Sequence, residues 1–340
     1  MSDLALLRFP TDQSFLGEGP FLSAATPPEH GSAFYVNDFM LSDPLPWKIP
    51  SRFHAFRGAA ELPLLMDWKS LEAPTFRWRV PEEDVFESVF RRIRKDIRKG
   101  LLEKMVPANC LTGEILTGTQ AGLIERLFAL QGPIYGYAWL GENRGMVGAT
   151  PELFLKANEG KLSTMALAGT AGLGDTKRFV QNPKEVHEHE LVAEWLEHSL
   201  AEYGPITRSP RHLVNLGALT HFITTFEVES GNLKLPDALP ALVAKLHPTP
   251  ALGCVPRTKE FLNQLLAFRQ RLIVPNAFGA PFGLWHEGAF TGVAAIRGLF
   301  WEGNRQSLAT GCGVVGQSVF DYEWRELKHK RDTVRNVMGI

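Results

Sequence analysis

The chain has 340 residues, 44% of them hydrophobic, enough to bury a sizeable core in one large domain or two small ones. Lys and Arg total 36 against 37 for Asp and Glu, so no large net field draws the molecule to nucleic acid or an anionic membrane, and an anionic ligand must be held by local groups. Cys110, Cys254 and Cys312 lie far apart without a C-x-x-C pair, which fits neither a disulfide framework nor a zinc ribbon, and no apolar run reaches the roughly 18 residues of a membrane span. The first twenty residues carry Arg8 and acidic side chains through any apolar stretch, so a secretion signal is not expected and a reducing, cytoplasmic location is.

Residues 1 to about 80 are rich in Pro, Phe and Gly, with short apolar clusters such as SAFYV (32–36) and AFRGAAELPLL (55–65) that read as strands and turns. From Glu82 to about Leu102, Val85, Val89, Ile93 and Ile97 recur at spacings of four, with acids early and bases late, which predicts an amphipathic helix. The segments IYGYAWLG (134–141), GMVGAT (145–150), ELFLKA (152–157) and KLSTMALAGT (161–170) alternate between turn residues, and predict a meander of consecutive antiparallel strands. Residues 182–203 form a second helix that places Glu188, Val192, Trp195 and Ser199 on one face, so a carboxylate shares the apolar side. The last hundred residues repeat the plan. A helix is expected around Lys259–Arg271, then strands in GLW, TGVAAIRGLFW and QSLATGCGVV, then a helix from Asp321 to Val337. Strands gathered with helices around them predict an α+β architecture. No clean linker and no internal repeat divides the chain.

Several chemical readings fail on spacing. The run His187-Glu188-His189-Glu190 lacks the second histidine of His-Glu-x-x-His, since Leu191 stands there, and histidines two apart point to different sides of a helix. Gly172 and Gly174 sit in no complete phosphate loop, and no G-x-S-x-G elbow is present. Glu326 and Lys330 fall on one face of the terminal helix, where spacing alone favours a solvated i to i+4 ion pair. Lys104 alone reads as an exposed lysine at a helix end, and Glu152 as an acid in a turn between strands.

Taken in order, EKMVPA, GATPELFLK, MALAGTAG, KEVHEHELV, LTHF, LHPTPALG, AAIRGLF, TGCGVV and EWRELKHK resemble the chorismate-utilising enzymes over about residues 82–340, with residues 1–80 weakly matched. The resemblance implies a single chorismate-binding domain over 1–340, with large antiparallel β-sheets packed face to face and helices outside. It implies that Glu188 and Glu326 bind Mg2+ against the ring carboxylate of chorismate, that Lys104 is the general base and that Glu152 is the general acid. Arg297 matches an arginine that holds a substrate carboxylate, Gly169, Thr170 and Gly313 match positions where backbone approaches the ligand, and His221 and Lys330 match polar cleft positions. The implied reaction is isomerisation of chorismate to isochorismate, by addition of water at C2 and loss of the C4 hydroxyl.

Within the family, LHPTPALGCVP stands where the aminating members carry P-x-G-T-L-S-G-A-P-K, so the hydroxylating branch is expected, with no glutaminase partner and a monomeric state. Salicylate synthase is the nearest alternative, then an aminodeoxychorismate or anthranilate synthase large subunit, then a chorismate-binding protein without turnover. ALAGTAG, without the arginines common in siderophore enzymes, leans toward a menaquinone pathway. Cys254, Cys312 and Asn182-Pro183 depart from the family pattern, and no feedback motif for an amino acid is recognisable in the N-terminal part.

Overall fold

The computed structural model describes residues 3–58, 71–172, 176–216, 219–231 and 233–340. The part of AFRGAAELPLL after Gly58, and Gly174, lie outside the described residues. The helices are α1 (Glu83–Arg98), α2 (Thr176–Val180), α3 (Pro183–Leu200), α4 (Leu239–Leu246), α5 (Lys259–Arg271) and α6 (Phe320–Met338). Among the described residues no helix is long and apolar enough to cross a membrane.

Among the described residues seventeen strands form one hydrogen-bonded ribbon, antiparallel at every ladder. It runs from Thr75–Trp78 through Ala108–Thr117, Arg305–Gly311, Gly298–Glu302, Arg144–Thr150 and Tyr135–Leu140 to Leu4–Arg8. The long strands Gln13–Ala24 and Trp47–Arg57 turn the corner. The ribbon then returns through Ser32–Val36, Pro281–His286, Ala289–Ala294, Leu153–Asn158, Lys161–Gly172 and Leu219–Glu229.

Strand alternation makes the two halves face each other. In Leu4–Arg8, Ala5 and Leu7 join Phe34, Phe282, Val293 and Phe300 between the layers, while Leu4 and Leu6 point outward onto Ile124, Leu127 and Met338. In Ser32–Val36, Phe34 points inward, while Ala33 and Tyr35 join the cluster of Val192 and Leu196 of α3 and Leu242 of α4 on the outer face. Each fully buried Leu or Phe contributes roughly 1.5–3 kcal/mol, so an apolar residue on each side of a strand explains why both layers hold helices or turns against their outer faces. The architecture is the expected α+β one.

Three details differ from expectation. The meander is two separate hairpins: Tyr135–Leu140 pairs with Arg144–Thr150 in one layer, and Leu153–Asn158 pairs with Lys161–Gly172 in the other. Alternation fixes which face a residue takes but not which strand is the neighbour, and Pro151 breaks the ladder where the chain changes layer. TGVAAIRGLFW is likewise not one strand, because the chain leaves Ala289–Ala294, passes Ala295–Arg297 with Arg297 at φ 55°, and enters Gly298–Glu302 in the opposite layer. On α1, Phe86, Val89, Phe90 and Ile93 are buried and Val85 and Ile97 only partly so, because the aromatic pair draws the buried stripe to its own side.

Candidate active site

The two crossovers between layers lie side by side. Ala149 N donates to Arg297 O at 3.1 Å and Ala294 N donates to Glu152 O at 3.1 Å, so the polar residues of both connections meet at the mouth between the sheets. The cleft there encloses about 630 Å³ of empty space, part of it open to solvent. Glu152, Gly169, Thr170, Glu188, His221, Arg297, Gly313 and Lys330 line it, with Leu167, Leu252, Phe278 and Ile296 among the apolar lining residues. Lys104 and Glu326 stand directly behind this lining. A side chain at Gly313 would lie 3.0 Å from Lys104 Cε, and Glu326 Oε1 is 2.7 Å from Lys330 Nζ.

Lys104 is not an exposed helix-end lysine. The two-residue strand Lys104–Met105 pairs with Cys254–Val255, and this long-range ladder carries the side chain fully out of solvent. Its Nζ is 3.3 Å from Glu188 Oε1, without a directed hydrogen bond among the described residues. Burial pulls its pKa below the ordinary lysine value, against the Glu188 carboxylate, which favours the charged form. Glu188 itself is pushed up by burial, but the ammonium groups of Lys184 and Lys104 outweigh that and hold it below the carboxylate range. Because Lys184 Nζ is 3.0 Å from Glu188 Oε2, the carboxylate stays ionised even when Lys104 is neutral.

Glu152 is pushed up to about 7 by burial, against the pull of Arg297, Lys104 and Lys330. Arg297 is lowered to about 10 by burial and so remains a cation at neutral pH. Lys330 is half-buried, and the adjacent Glu326 carboxylate outweighs its desolvation and raises its pKa, while its Nζ also donates to Gly311 O at 2.9 Å. The cleft therefore holds two cations, one buried amine whose pKa is lowered by burial and one carboxyl raised to about 7.

The sequence reading missed Lys184, Glu185 and Glu323. Lys184 Nζ lies 3.1 Å from Glu185 Oε1 and 3.2 Å from Glu323 Oε1, in addition to its contact with Glu188. Burial and neighbouring carboxylates, against the pull of Lys184, push Glu185 and Glu323 up to about 7, and among the described residues Glu323 Oε2 is buried without a hydrogen-bond partner. The signal was present in the spacing: 184, 185 and 188 on α3, and 323, 326 and 330 on α6, recur at three and four residues. Among the described residues no three acidic, histidine or cysteine side chains form a ready metal cluster, since Lys184 stands between these carboxylates. His187 is exposed and His189 is buried with Nε2 2.9 Å from Thr224 Oγ1, so the two histidines do point to different sides of α3.

Local geometry explains the small residues. Asn182 caps α3 by accepting from Lys184 N at 3.0 Å, with Pro183 at the first helical position. Any side chain at Gly313 would begin 1.9 Å from Glu188 Oε1.

The family model described as "Chorismate binding enzyme" matches residues 68–339. Isochorismate synthase EntC of Escherichia coli (strain K12) is 30% identical over 281 residues, covering 78% of this chain and 69% of that protein. The salicylate biosynthesis isochorismate synthase of Pseudomonas aeruginosa is 27% identical over 279 residues, covering 77% of this chain and 55% of that protein. The solved structure of MenF, the menaquinone-specific isochorismate synthase from Escherichia coli, shares the fold with a TM-score of 0.82 at 19% identity, covering 99% of this chain and 88% of that one. With four-fifths of its length under one family model and the same fold from end to end, the chain belongs to the chorismate binding enzyme family.

Proposed function

We propose that this chain is an isochorismate synthase that converts chorismate to isochorismate in the cleft at the layer crossovers. The observation that carries the reading is the pairing in one cleft of a fully buried lysine with a lowered pKa and a buried glutamic acid raised to about 7. General acid–base chemistry needs a group that accepts a proton and a group that gives one near pH 7, and burial shifts each of the two in the required direction.

Arg297 and Lys330 suit the two carboxylates of chorismate, since a guanidinium matches a carboxylate in two parallel hydrogen bonds and an ammonium attracts one as a point charge. The apolar side chains of Leu252, Phe278 and Ile296 pack the ring and exclude bulk water. Lys104 takes a proton from water as its oxygen bonds to C2. The ring double bonds shift, the C4–O bond breaks, and Glu152 gives its proton to the departing hydroxyl, which leaves as water. Lys104 is then an ammonium and Glu152 a carboxylate, and exchange with solvent resets both.

The donor set fits a hard divalent cation, because four carboxylates crowd around one ammonium and one carboxylate oxygen has no partner. Glu188 on α3 and Glu326 on α6 would hold Mg2+, which when bound supplies positive charge to the ring carboxylate. Water as nucleophile needs no glutaminase partner. The test is incubation of purified protein with chorismate, with and without magnesium and ammonium, followed by chromatographic separation. Isochorismate that forms only with magnesium supports the reading. Salicylate with pyruvate, an aminated product or unchanged chorismate each contradicts it.

A further inference from the structure

His221 lines the cleft, yet both of its ring nitrogens are already taken by protein groups. It stands on the strand Leu219–Glu229 opposite Thr170 and is almost fully buried. Nδ1 is 2.9 Å from Gly169 O, which only accepts, so Nδ1 carries the proton. Nε2 therefore presents a lone pair, and it lies 2.5 Å from Arg297 Nη2, which only donates. Thr170 Oγ1, 3.3 Å from Nδ1, can accept from the same N–H.

The neighbouring backbone is built for this chain of bonds. The ladder between Lys161–Gly172 and Leu219–Glu229 shifts register between Ala168 and Thr170, and the extra residue Gly169 sits at φ 75°. A bulge of this kind re-aims a peptide group out of the regular ladder, and glycine permits the left-handed conformation. Arg297 also has a left-handed backbone, at φ 55°, which a residue with a side chain adopts at a cost. Among the described residues, His221 Nε2 is the one hydrogen-bond acceptor on its guanidinium.

We infer that His221 is a positioning residue: it passes orientation from the Gly169 carbonyl to the Arg297 guanidinium, aiming Arg297 at a substrate carboxylate without donating to substrate itself. This rests on the proposed binding of chorismate in the cleft. Burial and the Arg297 charge push the imidazole pKa well below its ordinary value, consistent with a neutral ring that accepts from a cation.

Two variants separate the two bonds. His221→Asn keeps a donor near Gly169 O and removes the Nε2 acceptor, whereas His221→Gln can place an amide oxygen near the Nε2 position. His221→Asn should raise the chorismate KM about tenfold or more with kcat changed less than about threefold, and His221→Gln should restore most of the loss. Combined with Arg297→Lys, His221→Asn should add little to the effect of Arg297→Lys alone, because both act on one contact. Equal effects of Asn and Gln, a loss confined to kcat, or full additivity would overturn the inference. Imidazole 15N spectra of the ligand-free parent, with the His221 signals identified by their absence in His221→Asn, give a readout that does not need turnover. They should show the Nδ1–H tautomer from pH 5.5 to 8; an Nε2–H tautomer or an imidazolium in that range would overturn the inference even if the proposed activity stands.

Discussion

Burial acts in opposite senses on the two groups proposed to move protons. It disfavours the charge on Lys104, shifting it toward the free amine that can accept a proton, and disfavours the charge on Glu152, making it an acid near pH 7. Lys104→Met keeps the buried volume and removes the amine, and Glu152→Gln keeps the shape and removes the proton. Each should lower kcat by about a thousandfold in a protein that still unfolds cooperatively, and rates near those of the parent would exclude the assigned roles. Glu152 also couples to stability. Its folded-state pKa is raised from 4.5 to about 7, so its stabilising contribution is fully present below about pH 4.5 and is lost as pH rises through about 7. Across that window the parent should lose about 3 kcal/mol relative to Glu152→Gln, read by denaturant titration at a series of pH values. A constant difference between the two proteins from pH 4.5 to 8 would contradict the raised pKa. Neither environment was visible locally in the sequence. Lys104 reads as a helix-end lysine because the strand that buries it, Cys254–Val255, lies about 150 residues away.

At the scale of elements, the cleft depends on α3, α6 and the strand end at Gly311–Val314 meeting closely. Spacing alone places Glu188 on the apolar face of α3 but leaves the Glu326–Lys330 pair of α6 reading as solvated, while α1, α5 and α6 have legible periodicity with acids near their starts and bases near their ends. Period-2 alternation marks strands but says nothing about partners, which is why the hairpin split at Pro151 and the break at Ala295–Arg297 escape a sequence reading. Those two irregular connections are where Glu152 and Arg297 sit. Glu188→Gln or Glu326→Gln should shift the magnesium dependence of turnover by about tenfold or more to higher concentration, since each removes one anionic contact from a different helix. Superposition of both titrations on that of the parent would exclude the metal assignment. Gly313→Ala probes the close approach directly. The new methyl would overlap the far end of the Glu188 side chain, which can swing, and press on Lys104 Cε, so the fold should survive while both groups are displaced. A shift of that size should cost about a hundredfold in kcat/KM, and an unchanged rate would mean that these side chains do not set the reaction geometry.

For the whole molecule, the α+β class follows from the number of alternating segments and the helices between them, but the closure of the ribbon into two facing layers does not. The corner is made by Gln13–Ala24 and Trp47–Arg57, within the part of the sequence that carried the fewest chemical signals and before the segment matched by the family model. Ala5, Leu7, Phe15 and Phe34 from this part complete the core between the layers, and the mouth of that same interlayer space is the cleft. The N-terminal strands thus hold apart, at a fixed spacing, the two sheets whose crossovers supply Glu152 and Arg297. In the proposed reaction this cleft adds solvent water at C2 of chorismate and expels the C4 hydroxyl. Turnover in water enriched in oxygen-18, with the product analysed by mass spectrometry and fragmentation, tests it most directly. Isochorismate carrying one heavy oxygen at C2 is expected; isochorismate without the label, or chorismate recovered unchanged in the presence of magnesium, would rule the reaction out.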